Sequence, residues 1–441
     1  MNVRRPTGTG ADLAVVAAGA GLVVAAAVVG RRLLADGVHL FLGFPPLLAQ
    51  WLPHVGPGTP SALVVAVLVA ARGPAWAERL PWRALLVLTG VAAGAWTLSL
   101  ALVDGWQRGV VERLTSTDEY LHDVPGAPAV PDLVREFAGH ILTSAVDPGQ
   151  TWFWTTHVGA HPPGAFLVFV VLDRVGLGGG GAAGLLVIAV GASAATAVLV
   201  AARAMGDEST ARRAAPFAVL FPGAVWVGVS ADGLFAGCLA WGIAALAVAV
   251  ATTGRRSATA AAAAGLLLGG AVYLSYGLVL GGLLAAAVLL RRDVRLRAAG
   301  LAAAGVAVVV AAFTLAGFSW LEGYAEVRVI YAASIAAARP YPYFVWANFA
   351  AVAFAVGPAG FAGLRRVATR PVGPHLVVVA AVAAMLLADL SGMSKAEVER
   401  IWLPFAVWTC LACAELPRPR RWLAAQAVVA LLVNHLLLTA W

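Results

Sequence analysis

Runs of apolar residues recur from Ala11 almost to the end of the chain, and they restrict the fold more than any other feature of the sequence. A bilayer core about 30 Å thick requires about 20 apolar residues per helix, and many of these runs approach that length. Hydrophobic residues make up 61% of the chain and charged residues 12%, which excludes a water-soluble domain. The sequence therefore predicts an all-α fold, a polytopic membrane helix bundle.

Arginines indicate the topology of this bundle. Of the 30 lysine and arginine residues, 20 fall in seven short segments between apolar runs. Short basic loops stay in the cytoplasm, so these segments and the N-terminus are predicted to be cytoplasmic, in a multi-pass protein of the plasma membrane. The basic residues mark helix ends and form no continuous patch, so no nucleic acid partner is expected. The segments are Arg4/Arg5, Arg72/Arg79/Arg83, Arg203/Arg212/Arg213, Arg255/Arg256, Arg291/Arg292/Arg295/Arg297, Arg365/Arg366/Arg370 and Arg418/Arg420/Arg421.

Thirteen transmembrane helices fit between these fixed points. One more apolar segment, residues 163–178, is predicted as a half-inserted helix on the outer face, because a further crossing would place every later arginine segment outside. The C-terminus is then outside. The predicted spans are residues 11–29, 60–75, 84–103, 184–203, 214–230, 233–252, 259–275, 277–291, 298–317, 346–363, 374–389, 401–415 and 423–440.

A polar segment from Asp104 to Gly164 is the longest interruption of the apolar pattern. It holds eight of the 22 acidic residues and four of the eight histidines. Ionisable groups are costly in lipid and collect where water or substrate needs them, which predicts an extracytoplasmic loop that carries the chemistry. The alternative is that a long outer loop is acidic only because basic residues are kept inside.

Two pairs of residues in this loop are candidates for chemistry. Asp118 and Glu119 lie close enough to the preceding span to fold back to the membrane surface, where one carboxylate could accept a proton from an incoming hydroxyl. Alternatively, they belong to a short helix capped through Thr117. His157 and His161 are four residues apart and precede two prolines that suit the start of a helix. They are predicted to contact an acceptor substrate or a phosphate group. The alternative is a structural role.

Three further candidates lie in other outward segments. Lys395 and Arg400 are cations that could neutralise a lipid-linked phosphate. The alternative pairs them with Glu397 and Glu399 on one helical turn. Asp232 follows a turn between two predicted spans, where it could contact substrate or only cap a helix.

The order of these features resembles the GT-C superfamily of membrane glycosyltransferases, which includes protein O-mannosyltransferases, aminoarabinose transferases and actinobacterial mannosyl- and arabinosyltransferases. The resemblance covers residues 84–441 as a transmembrane catalytic module with an extracytoplasmic loop at 104–183, and leaves 1–83 as two additional N-terminal transmembrane helices. Several members have a lysine where this chain has His161. The matching motifs are Asp118-Glu119-Tyr120, His161-Pro162-Pro163-Gly164, Ser230-Ala231-Asp232 and Glu399-Arg400-Ile401-Trp402-Leu403-Pro404-Phe405. The arginine-rich, alanine-rich composition also resembles that of actinobacterial proteins.

The resemblance implies a polyprenyl-phosphate sugar donor, an active site on the outer face and a loop carboxylate as general base in an inverting transfer. Asp118 or Glu119 would be that base. The acceptor would be a glycan, a lipid or a protein, and membrane lipids are the other expected partners. The resemblance establishes no cofactor, and a divalent metal ion stays open. The residues expected to bind substrate are His157, His161, Asp232, Lys395, Glu399 and Arg400.

Two alternatives to an enzyme remain. A polytopic transporter or lipid flippase would have ionisable residues at mid-bilayer depth and broken helices in paired halves, whereas the charges of this sequence collect at the ends of the predicted spans. A non-catalytic membrane scaffold would keep the bundle without the chemistry.

Overall fold

The computed structural model describes residues 8–290, 296–369 and 371–441, and these residues are mostly helical. Within these ranges, eight helices are long and apolar enough to cross a membrane. The predicted all-α membrane bundle is therefore confirmed, while the count of thirteen spans stays a prediction. The eight helices are Thr9–Ala35, Thr59–Arg79, Trp82–Asp104, Gly180–Ala204, Ala231–Ala251, Gly254–Leu274, Leu296–Leu315 and Tyr341–Ala368. Six of the predicted cytoplasmic arginines lie outside the described residues: Arg4, Arg5, Arg291, Arg292, Arg295 and Arg370.

The first part of the chain forms helices α1 to α11, and some of its loops contain short 3₁₀ or π-helical turns. These helices are α1 (Thr9–Ala35), α2 (Thr59–Arg79), α3 (Trp82–Ala101), α4 (Tyr120–Asp123), α5 (Val130–Glu136), α6 (Thr156–Gly159), α7 (Pro163–Leu172), α8 (Gly180–Ala204), α9 (Glu208–Val219), α10 (Ala224–Val227) and α11 (Ala231–Ala251). The turns are Leu102–Asp104, Gln107–Val111, Val124–Gly126, Ala138–His140 and Asp173–Leu177.

The second part forms helices α12 to α22. A short strand near the end of the chain, β2 (Leu437–Thr439), pairs antiparallel with β1 (Ala49–Trp51), which follows α1. The helices are α12 (Gly254–Leu274), α13 (Gly281–Leu289), α14 (Leu296–Leu315), α15 (Trp320–Ala333), α16 (Ile335–Ala338), α17 (Tyr341–Ala368), α18 (His375–Leu390), α19 (Val398–Ile401), α20 (Leu403–Ala406), α21 (Cys410–Cys413) and α22 (Pro419–Leu436). The 3₁₀ turns are Tyr276–Leu280 and Val407–Thr409.

Two of the predicted spans are each divided among separate α-helices. Residues 214–230 are divided between α9 and α10, with a break at 220–223 that contains Pro222. Residues 401–415 are divided among α19, α20, a turn and α21, and Pro404 lies in the first turn of α20. A proline has no N–H to donate to the preceding turn, so a helix ends or kinks there. Apolar length alone did not reveal these breaks.

The predicted half-inserted segment is a short helix. Helix α7 begins at Pro163, as expected from the Pro162-Pro163 pair, and has 10 residues. At 1.5 Å per residue it is about 15 Å long, half of a bilayer core. Its first turn packs closely on α12, because a Cβ atom at Gly164 would lie 2.4 Å from the carbonyl oxygen of Tyr273.

Helix α17 bends at a Gly-Pro pair, and a side chain from α22 satisfies the backbone groups that the bend frees. Gly357 has φ 71° and Pro358 follows it. Gln426 donates to the carbonyl oxygen of Val356 at 3.0 Å and accepts from the N–H of Ala359 at 3.2 Å. Unsatisfied backbone groups are costly in a membrane, so Gln426 makes the bend tolerable.

The 203–213 arginine segment contacts two neighbouring connections at one end of the bundle, called here the arginine end. Arg212 in α9 donates to the carbonyl oxygens of Ala77 and Leu80, at 2.8 and 2.9 Å, where α2 ends. Arg213 donates to the carbonyl oxygen of Ala414, after α21, at 2.9 Å. These contacts place the 203–213 segment beside the α2–α3 and α21–α22 connections.

The polar loop lies at the opposite end, called here the loop end. Asp104, at the end of the α3 span, pairs with Arg113 at 2.7 Å, and Arg113 also donates to the carbonyl oxygen of Thr439 in β2. His54, after β1, contacts the same carboxylate at 2.9 Å. The loops after α1 and α3 and the β1–β2 pair therefore meet at this end.

The two N-terminal helices differ in how they pack. Helix α2 packs within the main core against α3, α9 and α22. Helix α1 packs mainly against α17, through a separate apolar cluster that includes Ala26, Leu40 and Tyr343. Of the two helices before the predicted boundary at 83/84, α1 is thus peripheral and α2 is part of the main core. The division of the chain at this boundary stays a prediction.

Candidate functional site

The first half of the site comes from the polar loop. Glu119 precedes α4 in an extended conformation, so that its carboxylate and the ring of Tyr120 both face the interior, with 4% and 1% of their surfaces exposed. Tyr120 packs against Phe169 in α7, with ring centroids 5.2 Å apart. The apolar face of α7 therefore anchors the acidic pair to the bundle. No side chain caps α4, so the expected alternative of a Thr117 cap does not describe this turn.

Arg400 lies at the centre of the site and is 6% exposed. Its guanidinium donates to Asp232 Oδ2 at 2.6 Å and to Glu397 Oε2 at 2.8 Å. It also stacks on the Trp441 ring, 3.8 Å from the centroid. Burial opposes the charge, but the carboxylates of Asp232, Glu397 and Glu119 raise the pKa of Arg400 above its ordinary value. Arg400 therefore remains a cation in a buried site.

His157 connects Arg400 to the acidic loop. Its Nδ1 lies 2.8 Å from the carbonyl oxygen of Asp118 and 3.3 Å from Glu119 Oε1, and its Nε2 lies 3.2 Å from Arg400 Nη2. A carbonyl oxygen only accepts and a guanidinium only donates. Nδ1 therefore carries the hydrogen and Nε2 offers its lone pair to Arg400. Trp441 completes the set by donating its indole N–H to Glu119 Oε1 at 3.0 Å.

These residues form what we call the Arg400 cluster: Glu119, His157, Asp232, Glu397, Arg400 and Trp441. Each comes from a different part of the fold: the polar loop before α4, helix α6, the first turn of α11, the segment before α19, α19 itself, and the residues after β2. The charges are supplied by three carboxylates and one guanidinium. A second guanidinium, that of Arg339, reaches the edge of the cluster and pairs with Glu397 at 3.0 Å.

Four of the sequence-predicted residues lie in this cluster, namely Glu119, His157, Asp232 and Arg400. The predicted alternative of an ion pair on one helical turn also describes Arg400, since it binds Glu397 three residues away. Asp232 is 4% exposed, although the turn before α11 was expected to face outward. Residues 221–230 are all buried, because the break between α9 and α10 returns the chain into the bundle.

Asp118 lies beside the cluster and faces solvent. Its Oδ1 accepts from the Thr156 hydroxyl at 3.0 Å, and the residue is exposed. The two adjacent acids thus point in different directions: Glu119 is buried and held by two donors, whereas Asp118 is accessible. Only an accessible carboxylate can meet an acceptor that arrives from water.

His161 is one contact removed from the cluster. Its Nδ1 lies 2.9 Å from the carbonyl oxygen of His157 and 3.0 Å from the Tyr120 hydroxyl. Burial lowers the pKa of His161 to about 4. The ring is therefore neutral at pH 7 and does not supply the permanent charge that a lysine would give at this position.

The other two predicted residues make different contacts. Lys395 donates to the carbonyl oxygens of Ala337 and Arg339, at 2.9 and 3.0 Å, and so fastens its own segment to the turn after α16. Glu399 is 1% exposed, and its Oε2 has no hydrogen-bond partner among the described residues. Burial raises the pKa of Glu399 to about 8, so this carboxyl is protonated at pH 7.

Sequence reasoning missed Arg339 and Trp441, and it treated Glu397 only as an ion-pair partner. The spacing of Glu397 and Arg400 was a usable signal for their pair. Arg339 and Trp441 had none, because each meets its partner across a long stretch of chain. The Trp441–Glu119 bond joins residues 322 positions apart.

A small cleft begins at Asp232 and runs between α11, the 276–280 turn, α18 and α20. Its lining is mainly apolar, with Ser275 and Ser394 as polar exceptions. Across the described parts of the chain, no group of three His, Cys, Asp or Glu side chains is placed to hold a metal ion. The arrangement offers an accessible carboxylate, a buried cation and an adjoining apolar cleft.

No protein-family model matches this chain, and no curated protein matches it. The fold and the site define a class, a helical membrane protein with a buried ionic cluster at one end of its bundle.

Proposed function

We propose that the chain is a GT-C-like membrane glycosyltransferase, which moves a sugar from a polyprenyl phosphate to a glycan, lipid or protein acceptor on the outer face of the plasma membrane. One observation carries the proposal. Asp118 with its exposed carboxylate, the buried Arg400 cation and the apolar cleft at Asp232 lie together at the loop end, because His157 contacts the backbone carbonyl oxygen of Asp118 and the guanidinium of Arg400.

The proposed orientation puts the arginine end in the cytoplasm and the loop end outside. The count of thirteen spans belongs to this proposal. Its five shorter crossings would be α9–α10, residues 276–289, α18, residues 403–413 and α22. Helix α7 would then lie half-inserted at the outer surface, where its length of about 15 Å fits without crossing.

In the proposed reaction, Asp118 accepts the proton of the acceptor hydroxyl as that oxygen attacks the anomeric carbon. The bond from this carbon to the phosphate oxygen breaks on the opposite side, so the configuration inverts, and the polyprenyl phosphate leaves with the electron pair. Asp118 suits the base because one of its oxygens bonds only Thr156 and the residue is exposed. Glu119, bonded by Trp441, would hold the loop in register.

The donor would lie across the Arg400 cluster. Arg400 would stabilise the phosphate that leaves, as a charge-assisted contact does. Lys395, His157, His161, Asp232 and Glu399 would contribute to the binding of the substrates. The cleft beside Asp232 would hold the start of the prenyl tail, because most of its lining is apolar.

The test is transfer of labelled sugar from polyprenyl phosphate in membranes that contain each variant. Asp118→Asn keeps the size and polarity of the side chain but removes the proton acceptor, so transfer should fall roughly 10²–10⁴-fold. Glu119→Gln should have the smaller effect, because Glu119 is buried and bonded. Arg400→Ala should weaken the use of donor. Wild-type rates in both acid variants would remove the pair from the mechanism.

A second function, transport of a solute or lipid, is favoured by the two interrupted segments that meet at the site. The break between α9 and α10 leads to Asp232, and the broken 401–415 segment follows Arg400. Interrupted helices with buried ionisable groups are typical of transporters. Flux of polyprenyl phosphate across proteoliposomes, with no transfer of sugar, would support transport and oppose the enzyme.

A further inference from the structure

Glu397 occupies a position between two guanidinium groups. Its Oε1 accepts from Arg339 Nη2 at 3.0 Å, and its Oε2 accepts from Arg400 Nη2 at 2.8 Å. A phosphate ester presents oxygens to two guanidinium groups in the same way, which is why arginine pairs recognise it. The carboxylate of Glu397 therefore fills a place whose chemistry suits a phosphate.

The backbone at Glu397 shows that its placement is imposed by the surroundings. Ala396 and Glu397 have φ of 71° and 61°, in the left-handed region that residues with a Cβ atom rarely adopt. Asn348 holds this segment by accepting from the N–H of Ala396 at 3.2 Å and donating to the carbonyl oxygen of Ser394 at 2.7 Å. Strained residues of this kind persist where neighbouring contacts fix them, and they cluster at ligand sites.

Access to the pair lies on the Glu397 side. The side chain of Glu397 is 15% exposed, compared with 7% for Arg339 and 8% for Arg400. Burial opposes its charge, but Arg400 and Arg339 hold the pKa of Glu397 below its ordinary value. Mild acidification therefore does not release the carboxylate from the arginines.

We propose that Arg339 and Arg400 form a phosphate-binding pair that Glu397 fills from within the chain, and that the phosphate ester of a lipid displaces Glu397 when it binds. The proposal deepens the function given above and rests on it for the identity of the lipid. It adds Arg339 as a second phosphate contact and assigns Glu397 as the competitor that sets the affinity.

The experiment measures binding of farnesyl phosphate to the purified full-length chain in detergent, with inorganic phosphate and farnesol as parallel probes. Glu397→Gln keeps the shape of the side chain but removes the competing charge, so farnesyl phosphate should bind about tenfold more tightly. Arg339→Gln and Arg400→Gln should each weaken it about tenfold. Farnesol should bind equally to all variants. If Glu397→Gln also binds inorganic phosphate more tightly, the arginine pair recognises the phosphate group alone. If only the binding of farnesyl phosphate becomes tighter, the site also recognises the lipid chain.

Glu322→Gln is the matched control, because it removes one negative charge from an exposed position after α14 at the loop end. Its binding should equal that of the wild type. Arg339→Lys is the second variant if Arg339→Gln does not fold, and it should also bind more weakly, since a lysine cannot reproduce the guanidinium geometry. Equal or weaker binding by Glu397→Gln overturns the proposal. Predicted binding changes without sugar transfer would instead refute the glycosyltransferase and leave the arginine pair standing.

Discussion

Each end of the bundle buries an ion surrounded by opposite charge, but the two arrangements differ. At the arginine end, the Asp12 carboxylate of α1 is fully buried and accepts hydrogen bonds from Arg365 and Arg366 of α17 at 2.5–3.1 Å. At the loop end, Arg400 lies among carboxylates that come from several loops. One cluster joins two regular helices, and the other joins segments that are irregular.

The clusters also differ in how completely their polar groups are satisfied. Both oxygens of Asp12 have donors. At the loop end, Arg400 Nε and Glu399 Oε2 are buried with no hydrogen-bond partner among the described residues, and the chain beside them has left-handed backbone. Buried polar groups without partners are uncommon and costly. The contacts of Asp12 join α1 to α17, whereas the loop end keeps buried polar groups that packing does not need. The Arg400 cluster is therefore the better candidate for function.

The largest expected effect tests whether the two ends face opposite sides of the membrane. Cysteine at position 126, in the polar loop, should react with an impermeant thiol reagent added to intact cells, and cysteine at position 253, in the α11–α12 connection, should not. Both positions are exposed. The three native cysteines are free, and two of them are buried, so the unsubstituted chain is the control for background labelling. Labelling at 253 and not at 126 would invert the proposed topology.

The second prediction separates the roles of the two clusters. Asp12→Ala leaves two arginines facing each other without a counter-ion, so the free energy of unfolding should fall by about 3 kcal/mol or more. Asp232→Asn leaves Arg400 with Glu397, so its loss of stability should be smaller while sugar transfer falls. Thermal unfolding in detergent and transfer per folded molecule are the two measurements. Glu208→Gln, in partly exposed pairs with Arg203 and Arg212, should change stability by less than about 1 kcal/mol.

The comparison would fail if Asp12→Ala unfolded like the wild type, or if Asp232→Asn lost more stability than Asp12→Ala. In the first case the arginine-end cluster would contribute nothing to packing. In the second case the loop-end cluster would be the structural one, and its irregular geometry would have no functional explanation.

Sequence periodicity was sufficient for the regular part of the fold. Eight predicted spans coincide with the long helices, because each is an uninterrupted apolar run. It failed at 214–230 and 401–415, where apolar residues continue through a break that depends on tertiary packing. Composition alone cannot distinguish a continuous helix from two short ones in an equally apolar setting.

The site was predictable only where charge stood out against lipid-like sequence. Glu119, Asp232 and Arg400 are ionisable residues near the ends of apolar runs, which made each visible on its own. Their contacts with Trp441 and Arg339 depend on how distant loops fold over the end of the bundle, and no local pattern records that. The sequence also could not predict that the side chains of Asp118 and Glu119 point in opposite directions, since this follows from the burial of Tyr120.

The last prediction concerns two titratable groups at the loop end whose contributions to stability depend on pH in opposite directions. Burial raises the pKa of Glu399 to about 8, so between about pH 4.5 and 8 the folded chain binds more protons than the unfolded chain. Stability from this group is complete below about pH 4.5 and is lost as the pH rises toward 8. Burial lowers the pKa of His161 to about 4, so its contribution is complete above about pH 6.5 and is lost as the pH falls toward 4.

Glu399→Gln and His161→Gln isolate these contributions, because glutamine does not titrate. The difference in unfolding free energy between wild type and Glu399→Gln should decline from pH 5 to pH 8, by at most about 1.4 kcal/mol per pH unit. The difference between wild type and His161→Gln should increase from pH 4 to about 6.5. Both are measured by chemical unfolding at fixed ionic strength. If the wild-type and Glu399→Gln curves ran parallel across this range, Glu399 would have the same pKa in the folded and unfolded chains, and burial would not keep its carboxyl protonated.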